Sequence, residues 1–280
     1  MNPKAAKKVS SAFNCEESLG SLTGFIRSEV GKTGFSKVVV GLSGGIDSSL
    51  CAALAVHALG ARNVIGVMMP YETSTADSLS DARQLAAGLG IDQRLVEITP
   101  MVKPYLERHP GMSPVRRGNV MARMRMIVLY DISAAENSLV LGTGNKTEYL
   151  LGYCTLWGDT ACAFNPLGDL YKSQVRALAA YLGLPESITA KTPSADLWSG
   201  QTDEDELGFS YDEADALLEL LIDRGLEPEE VEELGFSSRL IDTILERVER
   251  TQFKRRLPPI AKLDHRKTGA ERPSPGNKHY

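Results

Sequence analysis

Three consecutive valines, Val38-Val39-Val40, run straight into Gly41-Leu-Ser-Gly-Gly-Ile-Asp-Ser-Ser49, and an alanine- and leucine-rich stretch from Leu50 to Leu59 follows. A buried strand, a tight glycine turn and a helix start in that order make a site for an anion. Glycines let backbone N–H groups approach a phosphate closely, and the helix start adds its partial positive charge. The hydroxyls of Ser43, Ser48 and Ser49 supply further donors. Asp47 is the odd member, because a carboxylate beside phosphates repels them unless a cation lies between. That points to Mg²⁺, a hard ion that takes carboxylate and phosphate oxygens together. The G-x-x-x-x-G-K-[ST] spacing with its lysine is absent, and so is G-x-G-x-x-G.

The rest of the chain sets this loop in an α/β frame. A helical lead-in over Cys15–Val30 precedes a strand at Lys37–Leu42. Further strands are expected at Asn63–Met69, Arg94–Ile98 and Ser138–Gly142, with helices at Asp77–Gly88 and Gly118–Asn137 between them. Continuous apolar strands alternating with helices imply a parallel twisted sheet covered on both faces, of Rossmann-like type. Ligands bind such sheets at the carboxyl ends of strands, here the loops after Leu42, Met69 and Leu141. A helical C-terminal extension is expected from Lys172–Leu182, Tyr211–Arg224, Pro228–Gly235 and Ser237–Thr251. The polar, acidic stretch Pro193–Gly208 reads as a mobile surface loop. The organisation is one domain over residues 1–257 and a partly disordered tail over 258–280.

Bulk properties narrow the class. A net charge of −5 argues against a protein whose main task is holding nucleic acid. No apolar stretch approaches the ~20 residues that span a bilayer. The basic N-terminus is followed by no apolar signal core. The four cysteines have no C-x-x-C spacing, which suits reduced thiols in a cytoplasmic protein.

Further chemistry gathers after the fourth strand, in Gly142-Thr-Gly-Asn-Lys-Thr-Glu-Tyr149. Glu148 gives a second carboxylate from a second strand end, and two acids converging at one sheet edge suit a metal shared with polyphosphate. Lys172 opens a helix, where a cation is electrostatically disfavoured, which suggests a job at a phosphate during bond cleavage. Arg123 and Arg125 sit two apart on the long helix and therefore point to different sides. Trp157-Gly-Asp159 sets an aromatic beside a carboxylate, a pair that suits either ligand binding or plain packing.

Ser43-Gly-Gly-Ile-Asp-Ser48 resembles the pyrophosphate loop of the N-type ATP pyrophosphatases. Taken with Gly142-Thr-Gly-Asn-Lys-Thr-Glu148, Gly168-Asp-Leu-Tyr-Lys172, Pro193-Ser-Ala-Asp-Leu-Trp198, Gln201-Thr-Asp-Glu-Asp-Glu-Leu-Gly208 and Ser210-Tyr-Asp-Glu213, the chain resembles the ammonia-dependent NAD synthetases from about Gly24 to Pro259. The resemblance implies ATP-dependent amidation of deamido-NAD⁺ by ammonia through an acyl-adenylate, giving NAD⁺, AMP and PPi. It puts ATP binding on Gly41, Leu42, Ser43, Gly44, Gly45, Ile46, Asp47, Ser48, Thr143, Lys172 and Ser194. It puts catalysis on Asp47 and Lys172, Mg²⁺ on Asp47 and Glu148, and deamido-NAD⁺ on Arg123, Asp159 and Lys254. It further implies a homodimer with Lys254 reaching across, and a lid over 201–208 that orders on substrate. No nitrilase-like glutaminase segment fits ahead of the loop, so ammonia is expected free or from a separate glutaminase. No nucleic acid and no membrane enter.

Two positions depart from the family pattern. Leu156 stands where many members carry a lysine that helps hold deamido-NAD⁺, and Phe253 where members often carry a histidine. The competing readings are another enzyme of the superfamily, of the GMP-synthetase-like amination or tRNA-modification kind, and a non-catalytic nucleotide-binding protein on the same fold. The first lacks support outside the glycine loop. The second does not need Asp47, Glu148 and Lys172 together.

Overall fold

A computed structural model describes residues 13–194 and 202–261. The chain opens with α1 (Cys15–Thr33), whose N-cap Asn14 accepts from the Glu17 amide, and passes to β1 (Lys37–Gly41). Then come α2 (Ile46–Leu59), β2 (Val64–Met68), α3 (Ala76–Leu89), β3 (Asp92–Leu95), α4 (Thr99–Glu107), α5 (Pro114–Glu136) and β4 (Ser138–Val140). The second half adds α6 (Lys146–Leu151), α7 (Lys172–Tyr181), α8 (Glu186–Thr189), α9 (Asp203–Leu207) and α10 (Tyr211–Leu218). A π-helical turn at Glu219–Asp223, α11 (Pro228–Glu233), α12 (Ser238–Arg250) and a 3₁₀ turn at Gln252–Arg255 complete it.

The strands form one parallel sheet in the order β3-β2-β1-β4, with Val39 opposite Ile65 on one side and Val140 on the other. Because successive strand residues face opposite ways, the valine run of β1 feeds two cores. Val38 and Val40 pack with Leu50, Leu54, Val175 and Leu178 of α2 and α7. Val39 packs with Ile65, Val67, Ile98, Val128 and Ile132 on the side of α4 and α5. A third cluster, including Leu151, Tyr211, Leu217, Leu218, Ile241 and Ile244, makes the expected C-terminal helical layer. The chain winds one way through β1, β2 and β3 and then returns to the other side of β1 with β4. That reversal opens a crevice between the carboxyl ends of β1 and β4.

The α/β expectation stands, with local corrections. The third strand begins at Asp92, not Arg94, because Ile65 pairs with Asp92. Its first residues are polar since β3 is the sheet edge, although backbone bonds from Val96 to Met68 and from Ile98 to Pro70 continue the pairing that the apolar pattern marked. The helix expected over Tyr211–Arg224 changes to a π turn at Glu219, which lets Asp223 meet both Lys146 and Tyr171. Helices α4, α6 and α8 add to the expected set. The expected mobile loop holds helix α9, with Asp203 and Leu207 buried. Residues 195–201, where the rest of that loop and part of the expected lid fall, lie outside the described residues, as do 262–280 of the tail.

Candidate active site

The glycine loop is braced by its own serines. Ser43 and Ser48 hydroxyls lie 3.0 Å apart, the Ser43 amide donates to Ser48 Oγ at 3.2 Å, and the Gly45 amide donates to Ser43 Oγ at 3.1 Å. Ser48 and Ser49 hydroxyls both donate back to the Gly45 carbonyl. The N-cap of α2 is Gly45, with no side-chain cap, so the first-turn amides face the crevice available to an anion. Gly44 has φ +76°, and a Cβ there would lie 2.1 Å from the Ser78 carbonyl oxygen. Gly44→Ala is therefore expected to displace the loop and weaken ATP binding at least about tenfold, read by calorimetric titration.

Across the switch point, Asn145 joins the two motifs. Its Nδ2 donates to Asp47 Oδ1 at 2.8 Å, and its backbone N–H donates to Glu148 Oε2 at 3.1 Å. Asn145 is also the N-cap of α6, accepting from the Glu148 amide, so a capping box fixes Glu148 beside Asp47. The Asn-x-x-Glu spacing is a legible signal that the residue reading passes over.

Lys172 closes the centre. Its Nζ lies 2.6 Å from Asp47 Oδ2 and 3.3 Å from Glu148 Oε1, with only 3% of its side chain exposed. Burial by itself would lower the pKa of this ammonium, but Asp47 and Glu148 outweigh it and hold the group raised. Burial pushes the Glu148 carboxyl up to about 8, Lys172 opposing and Asp47 reinforcing the shift. Lys172 Nζ also sits 5.0 Å from the Tyr211 ring centre, and the Tyr211 hydroxyl donates to Asp203 Oδ2. None of these supports is readable from the sequence.

Asp47, Glu148, Lys172 and Asp203 line one cleft of about 770 Å³ together with the glycine loop, Thr143, Ser194, Asp159, Arg247 and Lys254. The structure thus brings the expected nucleotide residues together. Of the residues expected at the acceptor, Arg123 does not line this cleft, its Nε and Nη2 donating to the Leu156 carbonyl, while Asp159 does, with Oδ1 accepting from the Thr155 amide at 2.6 Å. Burial raises the Asp159 carboxyl. Trp157 takes φ +60° and stays 46% exposed. Arg125 turns to the Met69 carbonyl at the end of β2, which bears out the different sides expected of the two arginines. Lys254 does not extend away from its own chain. Its Nζ donates to the Gly152 and Cys154 carbonyls, both at 2.7 Å.

A phosphate loop at a switch point, with a buried ammonium beside two acidic side chains, suits an enzyme that acts on the phosphates of a nucleotide, and the relatives of this chain make the class a ligase. Within that class the comparisons are specific: the family model described as NAD synthase matches residues 18–258, and the chain belongs to that family. It is 50% identical over 247 residues to the NH(3)-dependent NAD(+) synthetase of Chlorobium phaeobacteroides, covering 88% of this chain and 89% of that protein. The corresponding protein of Trichlorobacter lovleyi is 51% identical over 245 residues, with 88% and 90% covered. Among solved structures, the NH3-dependent NAD synthetase of Campylobacter jejuni aligns with TM-score 0.76 and 36% identity over 89% of this chain and all of that one. An NMN synthetase from Francisella tularensis aligns with TM-score 0.79 and 34% identity, over 89% and 99%.

Proposed function

We propose that this chain joins ammonia to the nicotinate carboxylate of deamido-NAD⁺ at the expense of ATP, forming a C–N bond by way of an acyl-adenylate. The observation that carries the reading is the Asp47–Lys172–Glu148 cluster set against the glycine loop. A carboxylate is a poor electrophile because its leaving group would be oxide, and adenylation replaces that with AMP. The acid oxygen attacks the α-phosphorus and PPi leaves. The nitrogen lone pair of ammonia then attacks the acyl carbon, AMP leaves and a proton is lost.

Residues 41–48, with the first-turn amides of Ile46, Asp47 and Ser48, and the Thr143 and Ser194 side chains hold the nucleotide in this reading, and Lys172 neutralises charge on the departing pyrophosphate. Arg123, Asp159 and Lys254 hold the acceptor, the last by shaping the turn at Gly152–Cys154. Exclusion of water from the cleft protects the activated acid from hydrolysis. Asp47 and Glu148 are two hard carboxylates converging on one lysine, a donor set that fits Mg²⁺ shared with polyphosphate. Among the described residues no group of three or more His, Cys, Asp or Glu could hold a metal unaided. These two carboxylates would hold the ion, which when bound supplies charge neutralisation at the pyrophosphate.

The family match over 18–258 supports residues 1–257 as one functional domain. A homodimer, a separate glutaminase as ammonia source, and a cytoplasmic location are proposed from the same likeness. No described helix is long and apolar enough to cross a membrane. A mononucleotide acceptor is the second reading, favoured by the Francisella neighbour together with Leu156 and Phe253 on the acceptor side.

Purified protein with ATP, Mg²⁺ and ammonium, offered deamido-NAD⁺ or nicotinate mononucleotide in parallel, tests both readings. NAD⁺ and PPi in equal amounts are expected with the first acceptor, and no NAD⁺ at saturating substrate refutes it. The Glu148 carboxyl adds a pH dependence. Its proton is retained until pH rises through about 8, and only the carboxylate binds a metal. The kcat/KM for Mg²⁺-ATP should therefore climb from pH 6 to about 8 and level off. A profile flat across that range would contradict the shifted carboxyl.

A further inference from the structure

Helix α7 begins at Lys172 behind Tyr171, a residue whose side chain does not cap it and whose hydroxyl is spent on Asp223 Oδ2 at 2.9 Å. The first amides of a helix have no partner within it, and buried ones must find one elsewhere. Here they find it in other elements. The Lys172 amide donates to Thr147 Oγ1 at 3.0 Å, and the Ser173 amide donates to Asp215 Oδ2 at 2.7 Å. Thr147 in turn donates its hydroxyl proton to Asp215 Oδ1 at 2.5 Å. Thr147 is fully buried and Asp215 is 5% exposed.

We propose that Asp215, acting through Thr147, is a positioning residue for Lys172. The two side chains form an N-cap in trans that sets where α7 starts and so where the ammonium meets Asp47 and Glu148. This rests on the role given to Lys172 above. The arrangement explains the oddly placed lysine. A cation in the first turn opposes the helix dipole, and a buried carboxylate at the same helix end offsets it. One helix supports both ends of the residue. Asp215 lies one turn beyond Tyr211 on α10, so they share a face, and the Tyr211 ring lies beneath the ammonium while Asp215 anchors the backbone. Thr147 needs to accept and donate at once, which serine can do and valine cannot.

The test compares Thr147→Val, Thr147→Ser, Asp215→Asn and the Thr147→Val/Asp215→Asn double variant with wild type, in the full-length protein. The readouts are kcat, KM for ATP, and amide hydrogen exchange at Lys172 and Ser173. Thr147→Val should lower kcat about tenfold or more with KM for ATP within about twofold, since small displacements of a catalytic group act on the chemical step. Thr147→Ser should stay within about twofold of wild type. Asp215→Asn should match Thr147→Val, and the double variant should be no worse than either, as for one shared linkage. Lys172 amide exchange should speed up in Thr147→Val and return to wild-type rates in Thr147→Ser. Unchanged exchange in Thr147→Val overturns the cap whatever the activity. Faster exchange with unchanged kcat overturns the positioning role. Absence of NAD⁺ formation by wild type instead strikes the functional reading, while the exchange measurements still judge the cap.

Discussion

Replacing Lys172 with methionine is expected to abolish most turnover, about a hundredfold or more, measured as PPi release in a single turnover. Methionine keeps length and apolar packing, so the change isolates the charge. The ammonium faces Asp47 and Glu148 at 2.6 and 3.3 Å with almost no solvent, where a charge acts more strongly than at a surface. Breaking a buried pair by removing one partner usually costs ~3–5 kcal/mol of stability. The expected cost here is at the low end. Glu148 is already held up near 8, and without the lysine it keeps its proton and sheds the uncompensated charge. Turnover should therefore fall much further than the unfolding midpoint. A Lys172→Met protein that releases PPi at the wild-type rate would remove the lysine from the mechanism.

Asp47→Asn and Glu148→Gln are each expected to reduce turnover at least about a hundredfold through loss of the carboxylates proposed to hold Mg²⁺. The two should differ in stability. In Asp47→Asn the new amide oxygen can accept from Asn145 Nδ2 only by turning its NH2 group onto Lys172 Nζ, which lies 2.6 Å from the lost Oδ2, so this variant should also lose stability. In Glu148→Gln the new side chain can still accept from the Asn145 amide and cap α6. Its NH2 group then faces Lys172 Nζ, but at the longer 3.3 Å separation, so this variant should melt below wild type and above Asp47→Asn. Titration with Mg²⁺ in the presence of a non-hydrolysable ATP analogue should show weakened binding in both. Near-wild-type rates in either variant would refute the two-carboxylate site.

What was legible in the chain was local. The valine run and glycine loop announce strand, turn and helix within one short stretch of neighbouring residues, and their hydrogen bonds close over the same span. Sheet order follows once each strand is parallel and buried. Asp47 and Glu148 could be paired because both follow strand ends. The supports of Lys172 were not legible. Thr147 and Asp215 are 68 positions apart, brought together by the packing of the C-terminal layer on α6 and α7, and Lys172 and Asp47 are 125 apart, brought together by the packing of α2 on α7. Asp203 sits in a run of carboxylates that looks solvated, yet two tyrosine hydroxyls draw it inward. The opening of β3 hid for the opposite reason, since an edge strand needs no apolar residues on its outer positions.

The turn at Gln252–Arg255 has a consequence for how the molecule is completed. Lys254 binds the Gly152 and Cys154 carbonyls, while Arg255 binds those of Tyr149, Leu150 and Val248. Those carbonyls include the unsatisfied end of α6, the helix whose other end carries Asn145 and Glu148. During synthesis the nucleotide loop leaves the ribosome early, but the helix that faces it stays unfinished until residues some hundred positions later arrive. A chain cut ahead of Gln252 would thus carry every phosphate-loop residue and the caps of α6 itself, yet lack the side chains that close the carbonyls at the far end of that helix.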